Sequence, residues 1–252
     1  MEDQRMADPI AQAASLLRAA RATPGQTLAA LPEALRPADR AASYAIQAKV
    51  AEGVAIGGWK VGLASPTQCM CAPMPAGGIH PSPAMFGPGR LRGIEAEVAF
   101  RLGHDLPPRA TPYRRAEIIA ALATAHPVIE VLESAYTDPD LVDPLSNLAD
   151  SVVHGGFVYG PGLADWQGLA FPAITVTQTI DDSQMQRTGN PAGDMIRLVE
   201  WLANEGSVWA GGLKAGQFVT CGSWTGKTLA PPAAHATVSF PGLGEAELRF
   251  AG

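Results

Sequence analysis

Two glutamates one residue apart, Glu95 and Glu97 in GIEAEVAF, interrupt an otherwise apolar run. In a β-strand, residues i and i+2 point to the same face, so the two carboxylates stand side by side while Ile94, Ala96, Val98 and Phe100 form a core-facing row. Acids about 7 Å apart repel unless something positive sits between them. The motif alone admits two readings, a divalent-cation site or a solvated strand edge. A third acid bears on the choice. In HPVIEVLESAY both faces of the predicted strand are mostly apolar, so Glu130 or Glu133 is expected to be buried. A buried carboxylate must be paired, protonated or bound to a cation; the alternative is a strand end with Glu133 exposed and Glu130 meeting an arginine.

Lys60, in GGWKVGL, is a single cation among glycine, tryptophan and aliphatics. Such a lysine either snorkels to the surface or is held near a polarised carbonyl, as a cation or as a base of lowered pKa. Farther on, CGSWTGKT sets Ser223 and Thr225 in a glycine-bounded turn after a short strand. That turn either presents hydroxyls and backbone N–H groups to a ligand carboxylate or is only a turn. No helix is predicted after it, so GSWTG is not a nucleophile elbow and a serine-hydrolase triad is discounted.

Four helices are predicted around these residues. Asp8-Pro9, Thr111-Pro112 and Asn190-Pro191 each combine a capping residue with proline at the first helical position. The first helix packs through Ile10, Ala13, Leu16, Leu17 and Ala20. A second, from near Pro37 to Gly53, turns Tyr44, Ala45 and Ala48 inward. The third, YRRAEIIAALATA, uses Ile118, Ile119 and Leu122, and the fourth, GDMIRLVEWLANEG, uses Met195, Leu198, Val199 and Leu202 and ends at Gly206. After residue 56 strands predominate. The expected organisation is a helical segment over 1–56 followed by a β-rich metal-binding catalytic domain over 57–252. The segment 66–92, rich in Pro, Gly and Met and without periodicity, reads as a long loop and a lid candidate.

The 252 residues suffice for a sizeable core, and a net charge of −6 without any basic stripe argues against nucleic-acid binding. The charged start MEDQRMADPIAQ lacks a long apolar segment, so neither a membrane span nor a signal peptide is expected and the protein reads as cytoplasmic. Cys69, Cys71 and Cys221 cannot form a disulfide framework. The five histidines show no zinc-ligand spacing, so the cysteines read as inert thiols.

Taken together, the residues resemble the 2-keto-4-pentenoate hydratase and 4-oxalocrotonate decarboxylase branch of the fumarylacetoacetate hydrolase superfamily. The motifs that carry this are SYAIQAKV, GWKVGL, RGIEAEVAFRLGHDLP, HPVIEVLES, GGFVYGPG, GNPAGDMIRLVEWLANEG, LKAGQFVTCGS and FPGLGEAELRF, which together cover most of the chain. The resemblance implies an α+β fold: a β-rich mixed roll or distorted barrel with flanking helices and a small helical N-terminal part. It implies Mg²⁺ or Mn²⁺ on Glu95, Glu97 and Glu130, Lys60 as the active-site lysine, and a homo-oligomer. Three hard oxygen ligands suit those ions and leave coordination positions for a small 2-oxo acid, whose enolate the metal stabilises as a Lewis acid. The branch favours hydration of a 2-oxo-enoate first, decarboxylation of a 2-oxo-3-enedioate second and acylpyruvate C–C hydrolysis third, in the setting of aromatic meta-cleavage catabolism.

Two departures stand out. The loop before E-x-E contains no acid where the branch's hydratases usually carry one; His80 is its only imidazole, either a replacement proton-transfer group or a solvent-facing side chain. GGFVYG follows NLADSVVH rather than an asparagine-serine segment, which makes Asp150 and His154 either substrate contacts or structural residues. A different class of reading, a 2-oxo acid binding protein without turnover, rests on the acid-free loop.

Overall fold

The structure is a computed structural model that describes residues 8–23 and 25–252; the charged start MEDQRMA lies outside the described residues. In chain order the elements begin with α1 (Pro9–Ala22), α2 (Arg40–Val50), β1 (Ile56–Ser65), β2 (Gln68–Pro75), β3 (Ile79–Pro81), β4 (Ala84–Phe86) and β5 (Gly93–Leu102). Then come α3 (Arg115–Ala121), β6 (Leu122–Leu132), α4 (Pro144–Ala149), β7 (His154–Tyr159), β8 (Thr175–Ile180), β9 (Ser183–Thr188) and α5 (Met195–Trp201). The chain closes with β10 (Phe218–Ser223), β11 (Thr228–Leu229), β12 (His235–Phe240) and β13 (Gly244–Phe250). They fall into two compact units, the chain up to Val54 with Ser134–Val153, and Ala55–Glu133 with His154–Gly252.

The first unit is helical. The Asp8 carboxylate accepts from the Ile10 N–H at 3.0 Å and Pro9 opens α1, whose Ala13, Ala14, Leu17 and Ala20 are buried with Leu31, Ile46 and Tyr136. In α2 the buried face is Ser43, Ile46 and Gln47 rather than Tyr44, Ala45 and Ala48. Polar residues can face inward here because Ser43 and Gln47 donate to the Leu145 and Leu148 carbonyls, each at 2.9 Å. Residues 134–153, expected in the β-rich part, join this unit. Asp143 and Pro144 start α4 with the same cap-and-proline signal as α1, and the sequence reading passed over it.

In the second unit an eight-stranded sheet runs β2-β1-β10-β5-β6-β7-β3, with β11 added to β5. The sheet curls until β2 approaches β7 across its hollow. A second sheet, β4-β13-β12-β8-β9, covers the outside against β6 and β7, and α5 lies against β1 and β10. Strand β5 faces both ways: Ile94, Ala96, Val98 and Phe100, each fully buried, point outward, with Phe100 against Trp166 at 4.8 Å between ring centroids. The inner face carries the acids at one end and a plug of Met74, Ala99, Val128, Phe157 and Phe218. This β-rich curled sheet with few helices is the architecture that the resemblance implied.

Several boundaries moved. The 66–92 segment is mostly strand; Cys71, Ala72 and Met74 are buried on both faces of β2, so no polar alternation marks it. Thr111-Pro112 and Asn190-Pro191 do not open helices. The Arg114 N–H is held by the Glu117 carboxylate at 3.0 Å at the start of α3, and Asp194 caps α5. Asn190 instead donates to the Cys221 carbonyl at 2.8 Å. The third predicted helix stops at Ala121 because its LATA end is the first stretch of β6. No helix among the described residues is long and apolar enough to cross a membrane.

Candidate metal centre

Register puts the three acids together. Glu95 lies directly opposite Glu130 across β5 and β6, and Glu97 is two residues along the same face. One carboxylate oxygen from each lies within 4.8 Å of the others. Glu130 is fully buried, Glu97 is 2 % exposed and Glu95 is half-buried. Lys60 stands three strands away on β1, about 14 Å along a flat sheet. The curl brings it across the hollow, and its Nζ reaches Glu130 Oε1 at 2.7 Å. Lys60 therefore does not snorkel: its side chain is 13 % exposed.

The charges explain one another. Burial works against the Lys60 ammonium, but Glu130, Glu95 and Glu97 outweigh it and raise its pKa, so lysine enters the site as a cation. Burial also opposes the Glu130 carboxylate, and Lys60 and His154 more than compensate, holding it below the usual range. Glu97 goes the other way: burial and then the repulsion of Glu130 and Glu95 push its carboxyl well up. Glu95 is raised too, by burial first and then by the repulsion of Glu130, with Lys60 working against both. A site whose acids resist ionising together is one that a divalent cation relieves. Glu130 Oε2 adds a second sign, being buried with no hydrogen-bond partner. The donor set, three hard oxygens with one orphaned, fits Mg²⁺ or Mn²⁺.

Two bulges aim the neighbouring residues. Between Thr220 and Ser223 strand β10 carries one residue more than β5, at Cys221-Gly222, where Gly222 takes a φ of +80°. Thr220, before the bulge, donates its hydroxyl to Glu97 Oε2. Ser223, after it, stands opposite Glu97, hydrogen-bonds Glu95 and accepts from the Gly226 N–H at 2.9 Å. Thr220 was not singled out in the sequence; its position three residues before Ser223 was the available signal.

Three expected site residues are placed elsewhere. Ile79 shares the inner row with Phe157, so the next residue, His80, points out of the hollow and meets the Phe86 ring edge-on at 5.4 Å. It does not stand among the acids. The Thr225 hydroxyl is occupied by the Ala96 N–H and Gln178 Oε1, both at 3.0 Å, and ties β5 to β8. In the helical unit, Asp150 accepts from Arg21 Nε at 2.6 Å, Ser134 Oγ at 2.7 Å and the Ala135 N–H at 2.9 Å; its carboxylate is consumed by structure. A cavity of about 560 Å³ lies on the outer side of β5, lined by Phe100, Trp166, Phe171 and Met195 among others, and holds none of the site acids.

No protein-family model matches the chain. It is 29 % identical over 256 residues to 2-keto-4-pentenoate hydratase 1 of Dechloromonas aromatica (strain RCB), covering 95 % of this chain and 96 % of that one. The fold matches 4-oxalocrotonate decarboxylase from Pseudomonas putida G7, complexed with magnesium and adipate, with a TM-score of 0.83 and 21 % identity over 96 % of this chain and 97 % of that one. It also matches fumarylpyruvate hydrolase from Pseudomonas aeruginosa, complexed with Mn²⁺ and pyruvate, with a TM-score of 0.53 and 13 % identity over 77 % of this chain and 88 % of that one. The chain is thus similar over nearly its whole length to a 2-keto-4-pentenoate hydratase, and its fold is the one shared by these two solved structures. A second hydratase of the same organism, 2-keto-4-pentenoate hydratase 2, is likewise 29 % identical over 95 % of this chain and 96 % of that one.

Proposed function

We propose that the chain is a divalent-metal-dependent hydro-lyase that adds water to a small 2-oxo-enoate or 2-hydroxy-dienoate. The observation that carries this is the convergence of Glu95, Glu97 and Glu130 within 4.8 Å, with Lys60 anchored on Glu130. Similarity to a hydratase over nearly the whole chain supports the substrate class. Glu95, Glu97 and Glu130 would hold Mg²⁺ or Mn²⁺, the ions found in the two structural relatives. Bound there, the ion supplies Lewis-acid stabilisation of charge developing on a 2-oxo acid's keto oxygen. Lys60 contributes a fixed cation beside that position, and the Met74, Phe157 and Phe218 plug keeps water out of the inner end of the hollow.

One observation favours a second reading, decarboxylation of a 2-oxo-3-enedioate. Hydration needs a group that takes a proton from water and returns one to carbon, whereas decarboxylation breaks a C–C bond and leaves the electron pair in the enolate. The 66–92 segment contains no acid and its one histidine faces away, which is less of a handicap to the second reaction. A panel of 2-oxo-enoates, 2-oxo-3-enedioates and acylpyruvates, followed by ultraviolet absorbance with Mg²⁺ and with Mn²⁺, separates the reactions. Turnover of the enoates alone supports the hydratase, and CO₂ release from the enedioates supports the second reading. Metal-dependent binding of oxalate without turnover of any substrate leaves a binding protein.

A further inference from the structure

Glu130 Oε1 is doubly engaged. Besides Lys60 Nζ at 2.7 Å, it lies 2.9 Å from His154 Nδ1, and His154 is itself only 3 % exposed. A carboxylate can only accept, so the imidazole donates from Nδ1. The other oxygen, Oε2, is buried and has no hydrogen-bond partner.

The approach of His154 is built into the strand. Residues of β7 pair with β6 in strict register from Tyr159 opposite Val128 to Gly156 opposite Val131, and then His154 stands opposite Leu132. Gly155 is the extra residue of this bulge. Without the bulge, Gly155 would face Leu132 and His154 would lie one step beyond; with the bulge, His154 shares the Glu130 face. The bulge needs glycine: a Cβ at position 155 would lie 2.6 Å from Glu133 Cβ and 2.8 Å from the Glu133 nitrogen. The chain enters β7 through Ser151, Val152 and Val153, with φ values of 57°, 52° and 63°. Such angles are unfavourable for any residue with a Cβ and most of all for valine.

We propose that His154 is a positioning residue: with Lys60 it saturates Glu130 Oε1, so that Glu130 presents Oε2 alone, as a one-oxygen ligand of fixed direction, to the divalent cation. This rests on the metal reading above and adds which oxygen binds and what fixes it. A hydrogen-bonded outer partner of a ligand commonly controls affinity by about 10–100-fold. Neither the E-x-E motif nor the lysine contains this histidine; it falls in NLADSVVH, the stretch that departs from the branch pattern.

The test is calorimetric titration of MnCl₂ into the full-length protein and its variants. His154→Leu should bind Mn²⁺ about 10–100-fold more weakly than wild type, while His154→Asn, whose amide N–H reaches about the place of Nδ1–H, should keep most of the affinity. Equal affinity in His154→Leu overturns the proposal, and so does equal loss in both variants, which would mean that ring packing rather than the hydrogen bond matters. Glu97→Gln separates the two levels. If wild type binds Mn²⁺ and Glu97→Gln does not, the metal reading stands whatever His154 does; if wild type binds none, both fall. Should His154→Leu not fold, the ring tautomer in wild type decides by ¹⁵N NMR: Nδ1–H supports the proposal, and an unprotonated Nδ1 overturns it.

Discussion

Replacing Lys60 by methionine removes an ammonium from 2.7 Å of a carboxylate that is fully buried, while keeping most of the side chain's volume. Breaking a buried pair by deleting one partner costs about 3–5 kcal/mol, because the remaining charge is left uncompensated. His154 still donates to Glu130 Oε1, which places the expected loss at the lower end, about 3 kcal/mol. Chemical unfolding in urea with a chelator reads this directly, since all five tryptophans, from Trp59 to Trp224, lie in the β-rich unit and report its transition. With a slope of about 2 kcal/mol per molar urea, the midpoint should fall by about 1.5 M. The double variant Lys60→Met/Glu130→Gln removes both charges and should be more stable than the sum of the two single losses by about 2 kcal/mol. A midpoint shift below about 0.5 M, or strict additivity in the double variant, would refute the claim that this pair is a buried, coupled one.

Other consequences are open to direct measurement. Mg²⁺ at a hundred times its Kd should stabilise wild type by about 2.7 kcal/mol in the same urea assay and leave Glu97→Gln unchanged. Gly155→Ala should lower stability by about 1–3 kcal/mol, since its methyl meets Glu133 backbone and Cβ, and should weaken Mn²⁺ binding in parallel; full affinity would deny the bulge its role. Thr225→Val should lose about 1 kcal/mol of stability with turnover intact, a drop in turnover alone marking the hydroxyl as a substrate contact after all. Burial, with Arg101 adding to it, holds the His126 imidazole below its ordinary value. The unfolded chain then takes up a proton near pH 6.5 that the folded one takes up only at lower pH, so stability should decline as pH falls below about 6.5. An NMR titration midpoint for the His126 ring at or above that value would contradict this.

Much of the acid site was legible because its signals are local. Alternation in GIEAEVAF and HPVIEVLES assigns faces, and a cap followed by proline marks the start of α1. What escaped is non-local. The sequence says nothing of the curl that carries Lys60 across three strands, and the acid-free 66–92 segment hid a strand because burial on both sides erases the alternation that reveals one. Residue type left His80 and Thr225 as candidates for chemistry beside a plainer reading; a one-residue offset in register turns the first away from the hollow and a cross-sheet hydrogen bond engages the second. Asp150 shows the same limit: its partner Arg21 is 129 positions away in the chain.

The two strands that flank the acids each carry a one-residue bulge, at Cys221-Gly222 on β10 and at Gly155 on β7. Pairing is regular from Gly156 to Tyr159 and from Phe218 to Thr220, so each bulge changes which face His154 or Ser223 takes without disturbing the rest of its ladder. Chain length at these two points therefore acts as an address for the site's lining. Without its bulge β7 would set Gly155 opposite Leu132 and turn His154 to the other face, whereas a one-residue slip of β5 would send Glu95 and Glu97 into the aromatic layer beneath them. The lining of this hollow is set as much by where two strands carry an unpaired residue as by which side chains they bear.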